Sequence, residues 1–130
     1  MKKPPIPLTL AILSLSVFVP GCGVVGQKAS TAASFLAGAF VAIVPSSIAD
    51  VCWASQTALK NLKIETTAEN CDHLVGSIKA RTAQGEKITI SMRATPEDQT
   101  RLSVHVGTLG DRELSRIIYL KIKHYLHTAK

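Results

Sequence analysis

Three stretches decide the fold: LVGSIKART at 74–82, KITISMRA at 87–94 and RLSVHVG at 101–107. In each, apolar and polar residues alternate. The inward set is Leu74, Gly76, Ile78 and Ala80 in the first and Ile88, Ile90, Met92 and Ala94 in the second. In the third it is Leu102, Val104 and Val106. A period of two sends successive side chains to opposite faces of a strand, so the three runs predict an antiparallel meander with one apolar and one wet face. Parity restricts the register. A two-residue Gln84-Gly85 turn would set Arg81 beside Ile88 and is excluded if Ala80 and Ile88 share a core. A three-residue loop, Ala83-Gln84-Gly85, pairs Thr82 with Glu86 and Ala80 with Ile88, and places Gly85 where a left-handed residue is needed. The longer connection Pro96–Thr100 is expected to pair Ala94 with Leu102 and Met92 with Val104.

On either side of the meander the period changes to that of a helix. Ser47-Ile48-Ala49-Asp50 reads as a capping box with Asp50 in place of the usual Glu or Gln. Ile48, Val51, Cys52, Ser55, Leu59 and Leu62 follow on one face, ending the helix near Asn61 or Leu62. KIETT at 63–67 is expected as a short strand. Asp111 caps a last helix whose stripe is Leu114, Ile117, Ile118, Ile122, Tyr125 and Leu126, with Lys121, Lys123, His124 and Lys130 towards its negative end. Upstream, FLAGAFVAIV at 35–44 is apolar throughout and stops at Pro45. It is read as a strand buried on one face, the other reading being a membrane-surface helix. The expected order is strand-helix-strand-strand-strand-strand-helix. This is an α+β fold in which two helices cover one face of an antiparallel sheet of four to five strands.

The N-terminus carries a different kind of signal. Lys2 and Lys3 precede an apolar run from Leu8 to Val19, the pattern of an export leader and too short for an ordinary membrane span of about 20 residues. The run ends at Val19-Pro20-Gly21-Cys22, which resembles the bacterial lipobox, where a cysteine is acylated and the chain is cut just before it. The expectation is a signal peptide at 1–21, a lipidated N-terminus and tether at 22–34, and one small domain at 35–130. Cleavage near Gly26 or Ala29, or an uncleaved anchor from Leu8 to Val25, are the other readings. Gly23 stands where an Asp would signal inner-membrane retention, so the expected location is the outer membrane, facing the periplasm. Acyl chains on Cys22 would contribute roughly 0.8 kcal/mol per buried methylene to attachment.

Composition agrees with a small exported domain. The chain has 130 residues, 46% of them apolar and 18% charged, which excludes a large multidomain enzyme and a disordered tail as the main reading. Its 15 Lys and Arg against 9 Asp and Glu give a net charge of +6. Nucleic acid is not an expected partner, since the chain is exported and lacks aromatic residues among its cations.

The chain also resembles a known family, the small bacterial envelope lipoproteins of the domain-of-unknown-function 3568 family. The likeness rests on Trp53, on GSIKARTAQG at 76–85 with Ile88 and Ile90, and on TRLSVHVG at 100–107. Leu109-Gly110-Asp111 and the Ser115–Ile118 segment complete it, over roughly residues 35–126. The resemblance implies a lipoprotein with an α+β fold and supplies no catalytic motif.

Few constellations suggest chemistry. With Cys22 acylated, Cys52 and Cys71 remain as an even pair in an oxidising compartment. The helix from Cys52 and the returning strand have similar lengths, so a disulfide contributing about 3 kcal/mol is one reading. A buried free Cys52 with an exposed Cys71 is the other. No CxxC motif, nucleophile elbow, P-loop or carboxylate pair occurs, so neither an enzyme nor a cofactor is expected. His73, His105, His124 and His127 are scattered, and no metal site is expected. The wet face is more suggestive. Alternation places Lys79, Arg81, Lys87, Arg93 and Arg101 there, together with His105. They form either a solvated surface that blunts sheet association or a docking surface for an acidic envelope protein or lipid headgroups. The expected function is a lipid-anchored, non-enzymatic binding or accessory module. The alternatives are a purely structural envelope component and a secreted domain without an anchor.

Overall fold

A computed structural model of the chain describes residues 33–129. The expected signal peptide, Cys22 and most of the 22–34 tether lie outside the described residues. The elements run β1 (Ser34–Leu36), β2 (Ala39–Val44), α1 (Ile48–Asn61), β3 (Glu65–Cys71), β4 (Val75–Arg81), β5 (Lys87–Ala94), β6 (Thr100–Val106) and α2 (Arg112–Thr128). They form one six-stranded sheet in the order β1-β2-β6-β5-β4-β3, every neighbour antiparallel. Both helices pack on one face, α1 over β3 to β5 and α2 over β6 and β2. The class is α+β, as the period-two and helical patterns predict.

The meander forms as its alternation dictates. Ile78, Ala80, Ile88, Ile90, Met92, Leu102, Val104 and Val106 are buried under the helices. Each fully buried aliphatic side chain contributes about 2 kcal/mol. Ala80 lies opposite Ile88, and the Thr82 N–H donates to the Glu86 carbonyl across a three-residue loop in which Gly85 has φ +87°. Ser47 caps α1 by accepting from the Asp50 N–H at 3.2 Å, and Asp111 caps α2 by accepting from the Leu114 N–H at 3.0 Å. Each cap satisfies a donor that the helix itself leaves without a partner. The buried hydroxyl of Ser55 donates to the Val51 carbonyl at 2.7 Å, which lets a polar residue face the core.

Five expectations need correction. The apolar stretch 35–44 is a hairpin of two strands, which makes the sheet six strands wide. Ala37 and Gly38 both have positive φ, 50° and 81°, the signature of a two-residue type I′ turn, and Phe35 pairs with Phe40. Hidden among apolar neighbours, Gly38 gives a weak turn signal. The β5–β6 register is two residues tighter than expected: Ala94 pairs with Thr100 and Met92 with Leu102. The cause is Thr100, which is buried and donates its hydroxyl to the Ser46 carbonyl at 2.7 Å, drawing it out of the loop and into the strand. Because the shift is by two, every side chain keeps its face.

The short strand expected at 63–67 runs instead from Glu65 to Cys71. Lys63 has φ +58° and ends α1: its N–H bonds to the Lys60 carbonyl while that of Ile64 bonds to the Leu59 carbonyl. That is a Schellman ending with lysine where glycine is usual. Leu74 is 71% exposed, beyond the start of β4. In α2 the buried set is Ser115, Ile118, Tyr119, Ile122 and Leu126, so Tyr119 enters the core and Ile117 faces outward. The Tyr119 ring packs 4.9 Å from that of Phe40, tying α2 to β2.

Candidate functional site

The sheet face turned away from the helices is open, and register determines what it displays. Paired residues of antiparallel strands share a face, so its contents are read across the sheet in rows. One row runs Ile43–Arg101–Arg93–Val75. The next runs Val41–Ser103–Ser91–Ser77–Asn70. A third runs Ala39–His105–Thr89–Lys79–Ala68, and a fourth sets Lys87 beside Arg81 and Arg81 beside Glu65. The β1–β2 hairpin extends the sheet at the β6 edge rather than folding over this face.

All five Lys and Arg residues expected on the wet face are there and exposed, with His105 half-buried among them. They fall into two groups. Lys79, Arg81 and Lys87 cluster at the end near Gly85. Arg93 and Arg101 stand directly opposite one another at the other end. Among the described strand residues Glu65 is the one carboxylate on this face, and it sits at the far edge opposite Arg81. The neighbours of the arginine pair across the sheet are Val75 and Ile43, which bring no opposite charge. Two like charges in register are destabilising, so two such pairs, Arg81–Lys87 and Arg93–Arg101, set this face apart from one arranged for stability.

Between Arg93, Arg101 and the serine row lies a depression of about 420 Å³, bounded also by Val75. A smaller one of about 250 Å³ lies among Thr67, Lys79, Arg81, Lys87 and Thr89. The Ser77, Ser91 and Ser103 hydroxyls make no hydrogen bond to another described residue, so they remain open to a ligand. The serine row and the arginine pair both escape sequence reasoning, because they exist only in the register that Thr100 sets. The alternation did place each residue on this face.

Cys52 and Cys71 are joined in a disulfide with a Cα–Cα distance of 6.3 Å. Cys71 pairs with Gly76 and therefore shares the face that α1 covers, where Cys52 is buried. Among the described residues no group of three His, Cys, Asp or Glu side chains converges to hold a metal ion. His124 and His127 lie at the end of α2, His127 Nδ1 at 2.8 Å from the Lys123 carbonyl. No described helix is long and apolar enough to cross a membrane.

A sequence profile for the family described as "Protein of unknown function (DUF3568)" matches residues 6–125 of this chain, a span that includes Cys22. The chain belongs to the DUF3568 family. No curated protein matches it. The DUF3568 assignment spans the whole sheet and most of α2, so the open face is part of what the family profile covers.

Proposed function

We propose that this DUF3568 protein is a lipid-anchored envelope module that acts by binding, with the open sheet face as its docking surface for anionic lipid headgroups. The observation that carries the reading is the charge of that face: among the described strand residues, five Lys and Arg against one carboxylate at its edge. Glu65 lies opposite Arg81, but among the described residues no carboxylate forms an ion pair with any of the five, so the complementary charge is to be sought in a partner. The leader and the Val19-Pro20-Gly21-Cys22 sequence support an acyl anchor at Cys22, with the domain facing the periplasm from the outer membrane. From Cys22 to Ser34 the chain spans at most about 40 Å, so a domain anchored there stays close to headgroups. That proximity favours lipid over an acidic envelope protein as the first occupant.

Two measurements test the proposal. The mass of the mature N-terminus should show diacylglyceryl and acyl additions on Cys22, and Cys22→Ser should lose them. Full-length Cys22→Ser protein should bind phosphatidylglycerol-containing vesicles and leave them as salt rises, since surface charges are screened within about 10 Å at 0.1 M. The Arg81→Glu, Arg93→Glu, Arg101→Glu triple variant should not bind. Equal binding of both proteins, or no preference over neutral vesicles, would remove the sheet face from the function. Salt-sensitive retention on an acidic protein but on no vesicle would transfer the face to the other partner class.

A further inference from the structure

The two basic groups on the open face differ in what surrounds them, and the difference is chemical. The Lys79–Arg81–Lys87 group is a diffuse positive patch with Glu65 at its border. Among the described residues the Arg93–Arg101 pair forms no ion pair with a carboxylate, and it borders three hydroxyls aligned across adjacent strands, Ser77, Ser91 and Ser103. From these residues we infer that the depression they line is a recognition site for a phosphate monoester, carried by a membrane lipid headgroup. This inference rests on the reading of the sheet face as a lipid-docking surface.

A phosphate monoester near neutral pH carries a charge of about −1.5 to −2 and presents three strong acceptor oxygens. Two guanidinium groups match that charge, and each offers a planar fork of N–H donors suited to paired oxygens. The serine hydroxyls add three short donors from the floor of the sheet. A phosphodiester has one negative charge and two terminal oxygens, so it leaves one cation without a counterpart. The depression, at about 420 Å³, has room for more than a phosphate. Val75 at its edge, 51% exposed, offers apolar surface to the carbon skeleton of the attached headgroup. Binding an anion would also relieve the repulsion between Arg93 and Arg101, which face each other in register.

The test uses full-length Cys22→Ser protein, so that no acyl chain contributes, on phosphatidylcholine vesicles doped with phosphatidic acid or with phosphatidylglycerol at matched surface charge. Wild-type sequence at the face should prefer phosphatidic acid. Arg93→Ser with Arg101→Ser should lower affinity for phosphatidic acid by at least about tenfold, the loss of charge-assisted hydrogen bonds, and abolish the preference. Lys79→Ser with Lys87→Ser removes the same charge and should weaken both lipids alike. Inorganic phosphate should shift the amide resonances of Ser77, Ser91 and Ser103 saturably. Equal effects of the two double variants, or no preference between the lipids, would overturn the site and leave the general docking surface standing. Failure to bind any anionic vesicle would overturn both. Saturable shifts with inorganic phosphate, without binding to phosphatidic acid vesicles, would overturn the lipid as the source of the phosphate. Circular dichroism of each variant checks that the sheet is retained, which is expected because Lys79, Lys87, Arg93 and Arg101 are all exposed.

Discussion

Removing the Cys52–Cys71 bond should cost this domain about a third of the stability that a domain of its size ordinarily has. The two cysteines are 19 residues apart. Opening a closed loop of that length returns conformational entropy to the unfolded chain worth about 3 kcal/mol at 25 °C, against a typical total near 10 kcal/mol. Near 100 residues, that corresponds to a fall in Tm of about 15 °C. The native side should change little, because Cys52 is buried and its free thiol behaves as a small apolar group. The loss should also be uneven. Every residue of β3 is exposed, so the strand is held by its ladder with β4, by limited packing on α1 and by this bond. The assay is urea unfolding of oxidised wild type, Cys71→Ala, Cys52→Ala and the double variant, followed by Trp53 fluorescence, with amide exchange read strand by strand. The two single variants and the double should lose nearly the same amount, since each removes one shared bond. Amides of β3 should lose protection before those of β5. A Cys71→Ala variant within about 0.5 kcal/mol of oxidised wild type would refute the entropic reasoning. Alkylatable thiols at both Cys52 and Cys71 in protein purified without reductant would refute the bond itself.

Other consequences are equally measurable. Thr100→Val deletes the hydroxyl that satisfies the buried Ser46 carbonyl and should cost about 1–3 kcal/mol in urea unfolding; a loss below that range would mean the bond does not hold β6 in register. Lys63→Gly relieves a left-handed residue at the end of α1 and should raise stability by about 0.5–1 kcal/mol, whereas a decrease would contradict the Schellman ending. Gly110→Ala would put a Cβ 2.6 Å from the Cα of Gly38, at a φ of +87°, and should destabilise the domain markedly; an unchanged Tm would show that the β1–β2 turn does not rest there. Arg93→Ser should stabilise the free protein by about 0.2–1 kcal/mol at low salt, by removing a like-charge pair, with the gain shrinking as salt rises.

Much of the architecture was legible because each pattern had one physical solution. Three alternating runs admit one set of faces, and the apolar residues they name are the ones buried. Ser47 and Asp111 mark helix starts because short polar side chains satisfy backbone donors that nothing else reaches. The readings failed where the local signal was ambiguous. A continuous apolar run such as 35–44 conceals a turn, since only Gly38 marks it and its neighbours are all apolar. Parity sends Leu74 inward, but parity does not say where the covering helix ends. Tyr119 and Ile117 exchanged roles because both lie near the margin of the α2 stripe. The rotation of α2 against Phe40 decides between them.

For the candidate site the division follows the same line. Alternation alone assigned Lys79, Arg81, Lys87, Arg93 and Arg101 to one face, because side-chain direction along a strand depends only on whether a position is odd or even. The Gly85 loop adds that Arg81 faces Lys87, but no local signal says which residues face each other across β5 and β6. That depends on register, and register changes by steps of two without moving any residue to the other face. A single buried hydroxyl, Thr100 on the Ser46 carbonyl, selects the step that sets Arg93 against Arg101 and brings Ser103 into line with the Ser77–Ser91 pair. The composition of the face and its β4–β5 pairing are thus properties of the sequence, and the arrangement across β5 and β6 a property of a contact 54 residues apart in the chain.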